Sequence, residues 1–440
     1  MKIPENVFSI ENEGRLILYN PIKGSLLEAT PEILGILREI HAGGNLEGVD
    51  EGLIKKLQER HILEVDSYTE ELPPEKDKKY QPTSAIFLPT FDCNLRCIYC
   101  YSRAGEEKKD VIDFDYVKSG IDFIVANAKE LGQDLVKIDF HGGGEPLLPF
   151  QMDLVKKSVN YFRDLANHER MRSKVSATTN GIIARGYLEW IIANFDDVNL
   201  SFDGPEDIQN LQRPLERKGN SYPYLLETIR MFDDAEFNYS IRSTITEFSV
   251  ERMSEMVQFF YDNTKSRKYH FEPLSECGRC KTTLSRAPDS NTFTRNLIDA
   301  FELADKLDVN LHYSGSCLDR VHINFCGANG RNFIVTPEGN VSTCIEVSRE
   351  SEPGSKVFFI GKYNPQTHSY EFDEQKIDYL RQRTVDSLPH CNKCFAKFNC
   401  SGDCLAQSYS TTQDLFDTSK NPRCQTNREL LRYKMNKLLD

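Results

Sequence analysis

Three cysteines within residues 93–100 place the strongest constraint on what this chain can fold into. Cys93, Cys97 and Cys100 follow directly on the apolar run Ala85 to Pro89, so they occupy a tight loop at the end of a strand. Their C-x3-C-x2-C spacing can hold three irons of a [4Fe–4S] cube and leave the fourth without a protein ligand. An open iron is what chemistry requires, because a substrate or cofactor can bind there. A closed four-cysteine site only stores electrons or braces the fold. The competing reading is a zinc knuckle that borrows a fourth ligand from elsewhere, although zinc pairs favour C-x2-C.

The 13 cysteines are clustered: none falls between 101 and 276, and ten fall from 277 to 424. Met1 to Phe8 lack the apolar core of an export signal. A cytoplasmic chain with reduced thiols is therefore expected, and its cysteines read as metal ligands rather than disulfides. No apolar run approaches the length of a membrane span. The 54 basic and 67 acidic side chains give a net charge of −13 with no basic tract, which argues against nucleic acid as the main partner.

Taken in order, residues 1–65 read as a small independent unit. Phe8 to Ile10 and Leu16 to Tyr19 are strand-like, Pro21 to Gly24 a turn, and Thr30-Pro31 a helix start. Ile33, Leu37 and Ile40 keep helical spacing until Gly43-Gly44; Leu53, Ile54 and Leu57 form a second apolar face, and Ile62 to Val65 close the unit. The pattern suggests a winged-helix-like module. With 7 basic against 13 acidic side chains over residues 1–70, it is poorly suited to DNA. Residues 66–83, charged and Pro-bearing, read as a linker. From 84 to about 310 the chain reads as β–α units. Candidate strands are Ala85–Leu88, Leu135–Phe140, Val175–Thr179, Val198–Phe202, Tyr239–Thr244 and Tyr269–Phe271. An α/β fold with a parallel sheet follows, its active site at the strands' carboxyl ends. The alternation alone leaves a doubly wound sheet open.

The second strand ends in His141-Gly142-Gly143-Gly144-Glu145-Pro146, where consecutive glycines let backbone approach a ligand. The cysteine loop and this run, one β–α unit apart, resemble the radical S-adenosylmethionine (SAM) superfamily. The resemblance implies a partial (β/α)6 barrel with SAM on the fourth iron. It further implies that Gly143, Gly144 and Glu145 meet the SAM amino group and that Asn180 binds the ribose. Ser201 or Asp203 would sit close by, Arg242 would fork onto the methionine carboxylate, and Tyr99 would pack on the adenine. The plainer readings are a turn Asn, a turn Asp and a surface Arg, with His141 a packing residue.

After residue 310 the spacing becomes Cys326-x12-Gly339-x4-Cys344, then C-x2-C-x5-C-x3-C from Cys391 to Cys404, then Cys424. This resembles the SPASM (twitch) extension of radical SAM enzymes over residues 311–440, a cysteine-rich iron–sulfur domain. Two further [4Fe–4S] clusters are then implied, three in all. Cys326, Cys344 and Cys404 would hold the nearer one, with Cys317 its natural fourth ligand, and Cys391, Cys394, Cys400 and Cys424 the outer one. If Cys317 is not a ligand, the nearer cluster keeps an open iron. The rival is a pair of structural zinc sites. Cys277 and Cys280, after the sixth strand, remain: a hydrogen-atom donor, a substrate-handling thiol, an alternative cluster ligand, or two unligated loop thiols.

What the resemblance implies overall is a peptide maturase in which residues 1–65 recognise a precursor by strand addition. A 5′-deoxyadenosyl radical would abstract hydrogen from a ribosomally made peptide, and extra clusters would carry electrons away, favouring a thioether or C–C crosslink. Flavodoxin or ferredoxin is the expected reductant. A sulfatase-maturase-like, formylglycine-forming enzyme is one alternative, against which the N-terminal unit counts. A peptide epimerase using Cys277 or Cys280 and a non-enzymatic iron–sulfur scaffold are the others.

Overall fold

The computed structural model describes residues 1–43, 49–64, 78–106 and 110–440. Most of the expected linker, with Gly44 and Val65, lies outside them. Strands β1 (Phe8–Asn12), β2 (Arg15–Asn20) and β3 (Ser25–Glu28) form an antiparallel sheet in the order β1-β2-β3. The β2–β3 hairpin pairs Tyr19 with Leu26 around a turn closed by Gly24 N–H on Pro21 O at 3.4 Å. Helix α1 (Pro31–His41) starts where Thr30 caps it, its side chain accepting from Ile33 N, with Pro31 in the first turn. Helix α2 (Glu51–Glu59) follows.

This unit is not free-standing. Leu18 packs with Ile33, Ile36 and Leu57 on one face of β2, while Ile17 and Tyr19 on the other face meet Phe395, Leu431 and Met435. Tyr19 Oη donates to Asn399 Oδ1 at 2.8 Å in the same buried seam. The unbroken apolar run of β2 reflects cover on both faces.

The second sheet has eleven strands, and its barrel part is β4 (Ser84–Phe87), β5 (Leu135–Phe140), β6 (Arg172–Thr179), β7 (Asp197–Ser201), β8 (Tyr239–Ile245) and β9 (Lys268–Pro273). Each strand pairs in parallel with its successor. No strand order reverses, so there is no switch point and the doubly wound alternative falls. The chain winds one way around a partial barrel, as expected. Helices α3 (Phe114–Glu130), α4 (Met152–His168), α5 (Arg185–Asn194), α6 (Glu206–Gln212), α7 (Tyr222–Asp234) and α8 (Met253–Asn263) lie between these strands.

Each barrel strand alternates. In β5, Val136, Ile138 and Phe140 join the core with Ile121 and Ile124 of α3 and Val155 and Val159 of α4, while Lys137 and Asp139 line the lumen. The sheet continues at both edges. Beyond β9 lies a short parallel strand, β10 (Asn310–His312). Beyond β4 lie β11 (Ile334–Val335), β12 (Asn340–Ser342), β13 (Phe359–Asn364) and β14 (Ser369–Phe372). The β11–β12 pair is the hairpin expected around Pro337 to Gly339. The chain ends in helix Cys424–Leu439. Among the described residues no helix is long and apolar enough to cross a membrane.

Candidate active site

The cysteine loop leaves β4 at the carboxyl end of the barrel and is fastened along its length. Arg96 donates to Cys93 O at 2.6 Å and Leu95 O at 2.8 Å, and its own N–H reaches Pro214 O at 2.8 Å. From the other side Arg279 donates to Cys97 O at 2.9 Å and Ala104 O at 2.6 Å, and Thr283 to Ile98 O at 2.7 Å. The sulfurs themselves receive N–H groups: Leu95 N lies 3.4 Å from Cys93 Sγ and Ala104 N 3.5 Å from Cys100 Sγ. Donors aimed at sulfur suit thiolates that ligate iron.

The glycine run lies against this loop at van der Waals limit. Glu145 N–H donates to Asp92 O at 2.8 Å, and a Cβ on Gly144 would fall 2.0 Å from that same oxygen. The Glu145 carboxylate turns inward, accepting from Thr179 Oγ1 at 2.6 Å, Asn180 N at 2.7 Å and Leu147 N at 3.1 Å. Burial nonetheless pushes its pKa up to about 7.

Two expected SAM contacts have other employment. Asn180 Nδ2 donates to Asn94 Oδ1 at 2.7 Å and its Oδ1 accepts from Ile182 N at 2.9 Å, so the side chain braces the cysteine loop and its own turn. Asp203, fully buried, accepts from Tyr99 Oη, from Gln212 Nε2 at 2.8 Å and from Thr244 N at 3.1 Å, and pairs with Arg213 at 3.0 Å. These partners engage its carboxylate on both oxygens, so it positions Tyr99 and Arg213. Tyr99 is itself almost buried, with the Arg213 guanidinium 5.2 Å from its ring centre. Ser201 and Arg242 differ, since neither side chain has a hydrogen-bond partner among the described residues. Arg242 points into a lumen cavity of about 420 Å³ that Lys137, Asp139, His141 and His270 also line. Burial and Arg242 together bring His141 down to about 4, so it is neutral, and its Nδ1 accepts from Gly142 N at 2.7 Å.

Asp139 is the second titrating group of the lumen, hydrogen-bonded to Ser176 at 2.8 Å and raised to about 7 by burial. A raised carboxyl binds its proton more tightly folded than unfolded. Stability attributable to it is therefore full below about 4 and is lost as pH rises towards about 7, at up to about 1.4 kcal/mol per pH unit. Asp139→Asn is expected to flatten that limb in thermal melts taken from pH 5 to 8.

Of the thiols after the sixth strand, Cys280 is buried against Tyr99 and Leu274, its Sγ donating to Cys277 O at 3.0 Å. Cys277 is half-buried and faces Glu346; burial and that carboxylate push it up to about 12. Farther along, the cysteines sort by mutual influence. Cys344, Cys326 and Cys404 act on one another, all within reach of half-buried Glu346. Cys391, Cys394, Cys400 and Cys424 form a second set, where Asn427 Nδ2 donates to Cys400 Sγ at 3.1 Å. Cys317 stands apart: the charges acting most on it are Lys434, Asp319, Arg320 and Glu272. Burial first, then the neighbouring charges of Cys100, Glu346 and Cys344, hold the Tyr101 phenol well above its usual value. No group of three or more His, Cys, Asp or Glu among the described residues converges on one ion position; a cube, with its irons at separate corners, does not ask its cysteines to converge as a single zinc does.

Glu346, Arg279, Arg213, Asp403 and Asn427 are site residues that the sequence reading passed over. Only Glu346 carried a signal, lying two positions after Cys344 in a ligand segment.

Residues 87–260 match the family model of the radical SAM superfamily. The chain carries a radical SAM domain. A domain of this kind takes SAM and a [4Fe–4S] cluster, and the superfamily's proteins are enzymes. The cysteine-type anaerobic sulfatase-maturating enzyme of Clostridium perfringens (strain 13 / Type A) is 21% identical over 378 residues, 82% of this chain and 98% of that protein. The structure of native anSMEcpe with bound AdoMet is similar at a TM-score of 0.64 and 19% identity, over 81% of this chain and 98% of that one. Streptococcus suis SuiB bound to precursor peptide SuiA is similar at a TM-score of 0.55 and 17% identity, over 96% of this chain and 99% of that one. At these identities the likeness speaks for the fold. The radical SAM domain is thus one part of a longer shared architecture.

Proposed function

We propose that this radical SAM enzyme is a peptide maturase that installs a thioether or C–C crosslink in a ribosomally made precursor. The observation that carries this reading is the N-terminal unit, whose strands β1 and β3 each keep one edge without a strand partner among the described residues. An extended peptide can add to such an edge. The similarity to SuiB, described with its precursor peptide, extends over a larger share of this chain than that to anSMEcpe, so it takes in most of that unit.

In this reading Cys93, Cys97 and Cys100 hold the SAM-binding cluster, which with SAM supplies a 5′-deoxyadenosyl radical for hydrogen abstraction. The chain's own residues do the positioning. The backbone of Gly142 to Gly144 lets the cofactor lie against the cysteine loop, and Glu145 locks that backbone to Thr179 and Asn180. Arg242, whose side chain has no hydrogen-bond partner among the described residues, holds the methionine carboxylate, and Ser201 lies beside it. Cys326, Cys344 and Cys404 hold a second cluster and Cys391, Cys394, Cys400 and Cys424 a third. Flavodoxin or ferredoxin supplies electrons.

The test is anaerobic incubation of iron-loaded, reduced enzyme with SAM and the candidate precursor. Formation of 5′-deoxyadenosine together with a peptide lighter by two hydrogens per crosslink and free of aldehyde supports the reading; deuterium taken up from D2O with no loss of hydrogen, or a formylglycine aldehyde, defeats it. Cys277 is the less buried of the two thiols after the sixth strand, and it decides between crosslinking and epimerisation. Cys277→Ala is expected to retain product within about threefold, because loss of an unneeded, half-buried thiol lies in the near-neutral range. An epimerase would lose its product entirely.

A further inference from the structure

We propose that Arg383 is a redox-positioning residue, a fixed positive charge shared by the two C-terminal cysteine sets that holds up the reduction potentials of both auxiliary clusters. The inference rests on the two-cluster reading above. Arg383 has no exposed surface and is the bulkiest of the fully buried side chains. A buried guanidinium stays charged and needs a counter-charge. Among the described residues its side-chain hydrogen bonds go to carbonyls: Leu415 O at 3.0 Å, Gly402 O at 2.9 Å and Asp403 O at 3.3 Å. Among the described residues it makes no ion pair with a carboxylate. The carboxylate of Asp403 is engaged elsewhere, accepting from Cys404 N at 2.7 Å and Asn427 at 3.0 Å and pairing with Arg423 at 3.3 Å.

The setting is built rather than incidental. Ser401, Gly402 and Asp403 have φ of 53°, 74° and 58°, three left-handed residues in succession. That turn directs two carbonyls onto the guanidinium, and a Cβ at Gly402 would strike Leu388 at 2.1 Å. The same turn links Cys400 of the outer set to Cys404 of the nearer set. The thiols acting most on Arg383 come from both sets: Cys404, Cys391 and Cys326. A cube held by thiolates gains negative charge on reduction, so a nearby fixed cation favours the reduced state.

The experiment compares wild type, Arg383→Gln and Arg383→Lys by iron content and by redox titration followed with electron paramagnetic resonance. Gln keeps a donor for the carbonyls and loses the charge; Lys keeps the charge and loses the fork. In the Gln variant the reduced-to-oxidised ratio of both auxiliary clusters at the wild-type midpoint is expected to fall about tenfold, which is about 59 mV for a one-electron couple. The SAM-binding cluster is expected to stay put and Lys to stay near wild type. A Gln protein that fails to load iron beside a Lys protein that loads it gives the same support. Unmoved potentials in Gln, equal drops in Gln and Lys, or failure of both to load overturn the proposal. A wild-type chain that binds iron for one cube alone overturns the two-cluster reading itself, before any variant is compared.

Discussion

Gly144→Ala is expected to cut 5′-deoxyadenosine formation by about a hundredfold or more, the scale set when a reacting group is misplaced by about 1 Å. The added carbon would stand 2.0 Å from Asp92 O and 2.8 Å from Asp92 N, and both are backbone atoms with no rotamer to escape into. Relief must come from moving the glycine run away from the loop that carries Cys93. That motion also breaks the Glu145 N–H bond to Asp92 and shifts the carboxylate on which Asn180 rests. Overpacking of this kind costs about 1–3 kcal/mol or more in stability, so the thermal midpoint should fall as well. Gly186→Ala is the internal control. It lies in α5, a Cβ there meets nothing within 4 Å, and an exposed helical Gly→Ala gains up to about 1 kcal/mol. A Gly144→Ala protein that cleaves SAM within twofold of wild type would refute the account of the barrel mouth.

Asp203→Ala should produce the largest loss of stability, about 3–5 kcal/mol, because it strands a buried cation. Arg213 is 7% exposed and Asp203 fully buried, so water cannot take over the lost counter-charge. Tyr99, Gln212 and Thr244 lose their common acceptor in the same change. A drop of roughly 3–5 °C in the thermal midpoint of iron-loaded protein is the expected reading. The double variant Asp203→Ala/Arg213→Met should recover part of that loss, since charge and counter-charge leave together. If the double variant is as unstable as the sum of the singles, the pair is not what holds this corner of the barrel.

The architecture was legible wherever local pattern and long-range pairing agree. Val136, Ile138 and Phe140 alternate with Lys137 and Asp139, which announces a strand with an apolar back and a wet front. The position of the cysteine loop follows from the strand before it. The bracing contacts of Asn180 and Asp203 were not legible. Asn180 answers to Asn94 and Asp203 to Tyr99, partners 86 and 104 residues away, and such distances leave no periodicity behind. Arg383 was invisible for a related reason: an arginine in a polar stretch reads as surface until the Gly402 turn closes over it. The seam between residues 1–65 and the far end was not legible either, because Ile17 and Tyr19 meet Phe395, Leu431 and Met435, almost 400 positions downstream.

That seam limits how the molecule can be taken apart. Excising the first 64 residues would uncover Phe395, Leu431 and Met435 beside Cys394 and Cys400, leaving an oily scar over that cysteine set. Transplanting the front end from another maturase carries the mirror-image demand, because the incoming sheet must fit the final helix as well as its new cargo. Swaps that exchange both ends of the chain together respect the way this protein is joined.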